Sequence, residues 1–335
     1  MSAGTSDQYL DREDTNEIQD IANSILARHG VDPAAVQRAG GWTNTVWLSD
    51  GLVLRLSTCK GNPGLLREAQ LAWLFPPGVG YPELVECGTT AGFAWTLAAR
   101  LSGQSLGNAW AALNQERRVT ALRGLWERAQ AVHSVPAGEA AGIVSRESWF
   151  NSTDPERAEA GLARLAKDRI LTEHECKALQ DTLARFWKVK PAAPQVLCHG
   201  DLTLDNAIWH AEGVTALLDF EFAVMAPIQL DLNHLVKCAY SPEGAEGPGE
   251  GEQALRQAVK AIARPLLAQA QEKALLAGYA VLLELWLLTD WLDHPQGEGP
   301  LEQWEPLRRL RSLADGKLGY LGAIIRGDVS MAGKS

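Results

Sequence analysis

No two of the five cysteines (Cys59, Cys87, Cys176, Cys198 and Cys238) stand in a C-x-x-C pair, and their number is odd. Neither a disulfide framework nor a zinc site is therefore encoded, and reduced thiols packed in the interior are expected. Basic charge is also scarce: 31 Lys and Arg face 41 Asp and Glu, a net charge of -10. That balance argues against a nucleic-acid or anionic-membrane partner, whose surfaces need clustered cations to replace counterions, and suits a cationic small substrate better. The amino terminus, MSAGTSDQYLDREDTNEIQD, has no apolar core. No secretory signal is read there, a cytoplasmic chain is expected, and the sequon Asn151-Ser152-Thr153 carries no meaning without a secretory route. The most apolar run, 274–292, is broken by Glu284 and Asp290, so it is expected as a buried helix rather than a membrane span. There is no internal repeat.

What is present is a globular composition, 335 residues with 46% hydrophobic and 21% charged, enough for one large domain or two moderate ones. From about 35 to 100 the pattern is strand-like. TVWLSDGLVLRLS is two branched, apolar runs around Ser49-Asp50-Gly51, a hairpin signal because Asp-Gly supplies the positive φ of a tight turn. A helix is expected in GLLREAQLAWLF, closed by Pro76-Pro77, and two more strands around Thr90-Ala91-Gly92. Beyond residue 107 the period is helical: Trp110, Leu113, Leu122, Leu125, Ala129 and Val132 share one stripe of a helix over 108–135. Another helix starts at Thr172, where Thr172-x-x-Glu175 fits a capping box. Helices are expected over 253–294 and 301–325, and a mobile Gly/Pro/Glu loop over 241–253.

Within the helical half, VLCHGDLTLDNAIWH (196–210) is followed by AIWHAEGVTALLDFEF, which reads as strand, turn and strand. Asp201 and Asn206 then lie on a loop entering a hairpin, and Asp219 where the hairpin ends, close enough in sequence for all three side chains to converge. Two aspartates and an asparagine are hard oxygen ligands and proton acceptors, suited to magnesium and a phosphorylated nucleotide.

HGDLTLDN followed by LLDFE resembles the catalytic loop and metal-binding motif of the aminoglycoside phosphotransferase family, relatives of the protein kinases. The resemblance covers roughly 35–240. It implies an α+β, two-lobed protein-kinase-like fold: a flexible acidic segment 1–23, a nucleotide-binding lobe 24–98 with a small antiparallel sheet plus helix, a larger, mainly helical catalytic and acceptor-binding lobe 99–327, and a tail 328–335. It implies that Asp201 orients the acceptor hydroxyl and takes its proton, with Asn206 beside it, and that Asn206 and Asp219 hold Mg2+. His199 and Asp231 brace the loop. RAGGWTNTVWL is similar to the nucleotide-covering loop, which gives Gly41, Thr43 and Asn44 to the phosphates. Arg55 stands where a kinase has its phosphate-binding Lys, with Glu68 as its helix partner. WTLAARLSGQSL resembles the hinge, so the backbones of Ala99 and Leu101 are candidates to bond the purine, and small Ala98 leaves both ATP and GTP open as donor. Glu221 replaces the glycine of the kinase Asp-Phe-Gly, a departure from a protein-kinase switch. Glu221, Trp286 and Asp290 are expected on the acceptor wall.

Two short motifs compete. GQSLG (103–107) is a literal G-x-S-x-G, with Ser105, Asp219 and His234 in hydrolase order, but the strand pattern before it is hairpins rather than the repeated strand-helix units an elbow needs. GDVSMAGKS at the end has five residues between Gly327 and Gly333 where a P-loop has four. The expected activity is transfer of the γ-phosphate of ATP or GTP to a small-molecule hydroxyl by a monomer or homodimer. Aminoglycoside or macrolide antibiotics stand slightly ahead of choline, homoserine or methylthioribose as acceptor, and a non-catalytic nucleotide-binding module stands behind both.

Overall fold

The computed structural model describes residues 12–39, 44–144, 149–240, 250–295, 299–315 and 321–325. Gly41, Thr43, the tail 328–335 with its P-loop-like run, and most of the 241–253 loop lie outside them.

The described residues begin with α1 (Arg12–Arg28), most of which falls in the segment expected to be flexible. Ile18, Ile21, Ala22, Ile25 and Leu26 are all buried along one face. Their spacing is the helical i, i+3, i+4, i+7, i+8 stripe, which the polar residues between them and the acidic run before them obscure in a reading for composition. Strands β1 (Gln37–Ala39), β2 (Asn44–Leu48) and β3 (Leu52–Ser57) follow, then α2 (Gly64–Ala72), β4 (Leu84–Thr90) and β5 (Phe93–Ala99). They form an antiparallel sheet in the order β1-β2-β3-β5-β4. The Ser49-Asp50-Gly51 turn joins β2 to β3 as expected, with Leu48 opposite Val53. Trp47, Leu54, Leu56, Phe93, Trp95 and Leu97 meet α1 in a small core of their own. Because strand side chains alternate, Arg55 points away from the face that carries Leu54 and Leu56.

The body after the sheet comprises β6 (Gln104–Ser105), α3 (Leu106–Trp110), α4 (Gln115–His133), α5 (Ala137–Ala140), α6 (Pro155–Lys167) and α7 (Glu173–Val189). The helix expected over 108–135 is thus two, because the Asn114 side chain accepts the Arg117 N–H and starts a new helix after a short break. Thr172 and Glu175 form the expected reciprocal cap of α7. Then come β7 (Val196–Cys198), β8 (Ala207–His210), β9 (Gly213–Leu217), β10 (Val224–Ala226), α8 (Gln229–Tyr240), α9 (Glu250–Ala263), α10 (Ala270–Asp293), α11 (Glu305–Ala314) and α12 (Gly322–Ile325). Residues 250–253, expected as loop, open α9, and the helical stretch expected over 253–294 is interrupted by a 3-10 turn at Arg264–Leu266 around Pro265.

α10 is long and apolar enough to cross a bilayer, yet 72% of its most apolar window is buried against the rest of the chain, where it packs on α7, α8 and α11. A second, larger core collects these helices and the β7–β10 region. Leu71 and Val79, although they belong to the sheet half by sequence, pack into that larger core and join the two parts.

Candidate active site

The catalytic-loop candidates lie between β7 and β8, and Asp219 lies just past β9. Local hydrogen bonds explain how the two segments are held together. The N–H of Leu218 donates to Asn206 O (2.8 Å), and the ring of His199 bonds Leu218 O through Nε2 (2.9 Å). Asp201 N–H donates to His199 Nδ1 (3.2 Å), so Nε2 carries the ring hydrogen. His199 thereby ties the loop to the residue preceding Asp219. Asp219 itself has φ +65°, a left-handed backbone uncommon for a residue with a side chain, though Asp tolerates it better than most.

Asp231, at the start of α8, accepts the backbone N–H groups of His199 (2.9 Å) and Gly200 (2.9 Å), and also contacts His133 Nε2 at 2.8 Å. Burial pushes its carboxyl up, but the His133 hydrogen bond, the fields of His133 and His199 and the Gly200 N–H outweigh burial and leave it below the usual range. A fully buried carboxylate that stays ionised pins the loop from beneath. His133 was not expected in this role; it closes α4, 98 residues before its partner.

Asn206 Nδ2 donates to Asp201 O (3.0 Å) and Asp201 Oδ2 (2.9 Å). Both amide hydrogens are then used, and the amide oxygen is the atom left for a cation. Burial raises the Asp201 carboxyl above its ordinary value; His199 opposes this, the neighbouring Asp219 charge adds to it, and the Asn206 hydrogen bond and Lys237 oppose it. Asp201 thus combines a basic carboxylate with a fixed orientation.

Arg55 reaches across from β3. Its Nη1 bonds both oxygens of Glu68 on α2 (2.7 and 2.8 Å), and its Nη2 bonds Asp219 Oδ1 (2.7 Å). Glu68 is 1% exposed and also accepts the phenol of Tyr81 (2.9 Å). Despite desolvation, Glu68 and Asp219 hold the guanidinium firmly protonated. The planar fork is what lets one side chain join the sheet, its helix and the second part of the molecule; a Lys point charge has no such fork.

The remaining expectations fare unevenly. Asn44 is buried at the start of β2, opposite Ser57. Ala99 N–H is committed to Glu83 O (2.8 Å), which reduces what Ala99 offers a base to its carbonyl, while Leu101 follows directly in the segment leading out of the sheet. Glu221 lies in the field of Arg55, on the side of the site where the sheet approaches. Trp286 is not a wall for an acceptor: it is 2% exposed, its Nε1 donates to Ser152 O (2.9 Å), and Arg157 covers its ring at 4.3 Å. Asp290 lies in the last turn of α10, partly exposed and 3.3 Å from His294. The hydrolase order is not assembled either. Ser105 Oγ caps α3 by accepting Asn108 N–H, His234 is buried with Nε2 unpartnered, and Asp219 faces Arg55.

A five-stranded sheet carrying one ion-paired helix, joined through an extended segment to a helical body that presents Asp201, Asn206 and Asp219, defines a protein of the protein-kinase-like fold. A family model described as "Phosphotransferase enzyme family" matches residues 34–285, and the chain belongs to that family. Among curated proteins, the homoserine kinase of Methylocella silvestris is 29% identical over 202 residues, a match that spans 56% of this chain and 58% of that protein. Among solved structures, the GDP complex of wild-type aminoglycoside 2'-phosphotransferase-IIIa superposes with a TM-score of 0.64 at 18% identity, covering 88% of this chain and 98% of that one. A thermostable aminoglycoside phosphotransferase APH(4)-Ia with ADP and hygromycin B gives 0.59 at 13% identity, covering 93% and 100%.

Proposed function

We propose that the chain transfers the γ-phosphate of ATP or GTP to a hydroxyl of a small molecule, with Asp201 as the base. The observation that carries this reading is the convergence of Asp201, Asn206 and Asp219 at one site that Arg55 and Glu68 close from the sheet side. Asp201 orients the acceptor hydroxyl and takes its proton as the oxygen attacks, and its raised basicity suits that task. Phosphoryl transfer asks for positioning and charge neutralisation more than for a strong base. The donor set fits magnesium: the Asn206 amide oxygen and the second Asp219 oxygen are hard ligands left over from the protein's own hydrogen bonds. When bound, the ion supplies positive charge to the transferring phosphates. Arg55, held by Glu68 and Asp219, adds fixed positive charge on the sheet side, and Ala99 and Leu101 edge the purine.

For the acceptor we propose a small hydroxy metabolite bearing a carboxylate, of the homoserine kind, ahead of a polycationic antibiotic. Lys237 supports this. Its field acts on Asp201, its side chain is 20% exposed, and it sits 3.0 Å from buried Glu284. A carboxylate beside the base meets an opposite charge there, whereas an aminoglycoside meets a like one. The 29% identity to a homoserine kinase points the same way. The antibiotic reading rests on structures that share the fold at 18% identity or less.

The test is release of nucleoside diphosphate with magnesium and ATP or GTP over a panel of homoserine, choline, methylthioribose, aminoglycosides and macrolides, with Asp201→Ala as the control. Stimulation by homoserine or a related hydroxy acid, silent in the control, supports both parts. Stimulation by an aminoglycoside alone overturns the acceptor assignment. No stimulation together with no magnesium-nucleotide binding by calorimetry overturns the phosphotransferase site.

A further inference from the structure

Asn151 was notable in the sequence only as the first residue of a sequon. In the fold its side chain is turned inward, and Nδ2 donates to two carbonyls from different segments: Gly200 O (3.0 Å), next to Asp201, and Phe222 O (3.0 Å), past Asp219. Both acceptors are backbone oxygens, so neither can satisfy the other, and a single group with two hydrogens in a fixed fork is what the gap requires. The approach is close. A Cβ on residue 200 would stand 2.1 Å from Phe222 O and 2.6 Å from Asn151 Nδ2, and residue 200 is a glycine at φ +82°. Asn151 is itself anchored on both sides. Trp149 and Phe150 pack their rings on Phe222 at 6.4 and 5.0 Å, Arg157 Nη1 donates to Trp149 O (3.0 Å), and Trp286 Nε1 donates to Ser152 O.

We infer that Asn151 is a positioning residue for phosphoryl transfer: its amide staples the loop that carries the base to the loop that carries the metal ligand, and sets the distance between Asp201 and Asp219. The inference rests on the phosphotransferase reading above. It also gives Trp286 and Arg157 a purpose, since they hold the staple from α10 and α6 rather than touching an acceptor. Asn151 makes these bonds through the nitrogen that glycosylation would modify, so the sequon is structural.

The experiment pairs turnover with hydrogen exchange in the full-length chain. Asn151→Ala is expected to lower kcat by about 10- to 100-fold, the scale of a misplaced catalytic group, with the nucleotide KM within about twofold. Amide exchange in 199–203 and 220–224 should accelerate together by about tenfold, the loss of one hydrogen bond, while α7 stays protected. Asn151→Gln, which keeps the donor pair, should recover part of kcat, and Asn151→Asp, which sets a third acceptor against two, should fall below Ala. Unchanged exchange in either segment overturns the staple. So does faster exchange in both with unaltered kcat, or a joint fall of kcat, nucleotide affinity and Tm that Gln does not relieve. Exchange needs no acceptor, so it decides the staple even where the phosphotransfer assay returns nothing and the functional reading falls separately.

Discussion

Replacing Arg55 by Met isolates the charge that joins the two parts of the molecule. Methionine keeps most of the apolar stem, so packing changes little and the loss is electrostatic. Glu68, at 1% exposure, is left with the Tyr81 phenol as its remaining hydrogen-bond partner, and Asp219 loses its 2.7 Å contact. Removing one partner of a buried pair costs about 3–5 kcal/mol because the other charge stays desolvated. Asp219 is more exposed and adds little to that figure. Glu68→Gln in the same background removes the stranded charge, so the double variant should regain at least about 2 kcal/mol, within the usual range of coupling energies. Arg55→Lys keeps the charge without the fork and should fall between the two. Urea unfolding gives the free energies, and hydrogen exchange at β3 and α2 locates the loss at the two elements that the Arg55–Glu68 pair joins. A cost for Arg55→Met below about 1 kcal/mol, or a double variant no more stable than the single, would refute the claim that Glu68 depends on Arg55.

Asp201→Asn should reduce turnover by about 10^2- to 10^4-fold, the scale of a lost general base. It should leave Tm unchanged or raise it: with a folded-state value raised by burial, this carboxyl contributes stability only below the ordinary carboxylate range, and its charge opposes folding at neutral pH. A lower Tm by calorimetry would contradict that sign. His234, whose pKa burial depresses from 6.5 to about 4, contributes stability that is present above 6.5 and lost as the pH falls towards 4. His234→Leu should flatten the acid side of a Tm-against-pH profile, and an unchanged slope would assign the acid loss to other groups. Ser105→Ala removes the α3 cap, costing about 1 kcal/mol of stability, and should leave kcat where it was; loss of activity without loss of stability would revive the hydrolase order.

The sequence by itself determined the parts whose signals are local. The Asp50-Gly51 turn, the alternation through Arg55, the Thr172 cap and the short spacing from Asp201 to Asn206 to Asp219 each act over a few residues, so the hairpins, the capped helix and the candidate trio were legible. Helix breaks were less so, since the stripe through Trp110 and Leu113 continues across a stop that one asparagine imposes. Tertiary structure alone decided the distant partners that complete the bracing of the site. His133 meets Asp231 across 98 residues, Asn151 meets Gly200 across 49 and Phe222 across 71, and Arg55 meets Asp219 across 164. No spacing rule encodes such pairs, because they arise only when separate elements pack and their buried polar groups must find partners. The same reason took Trp286 off the acceptor wall: a tryptophan near an aspartate in sequence says nothing of which face of α10 the core will claim.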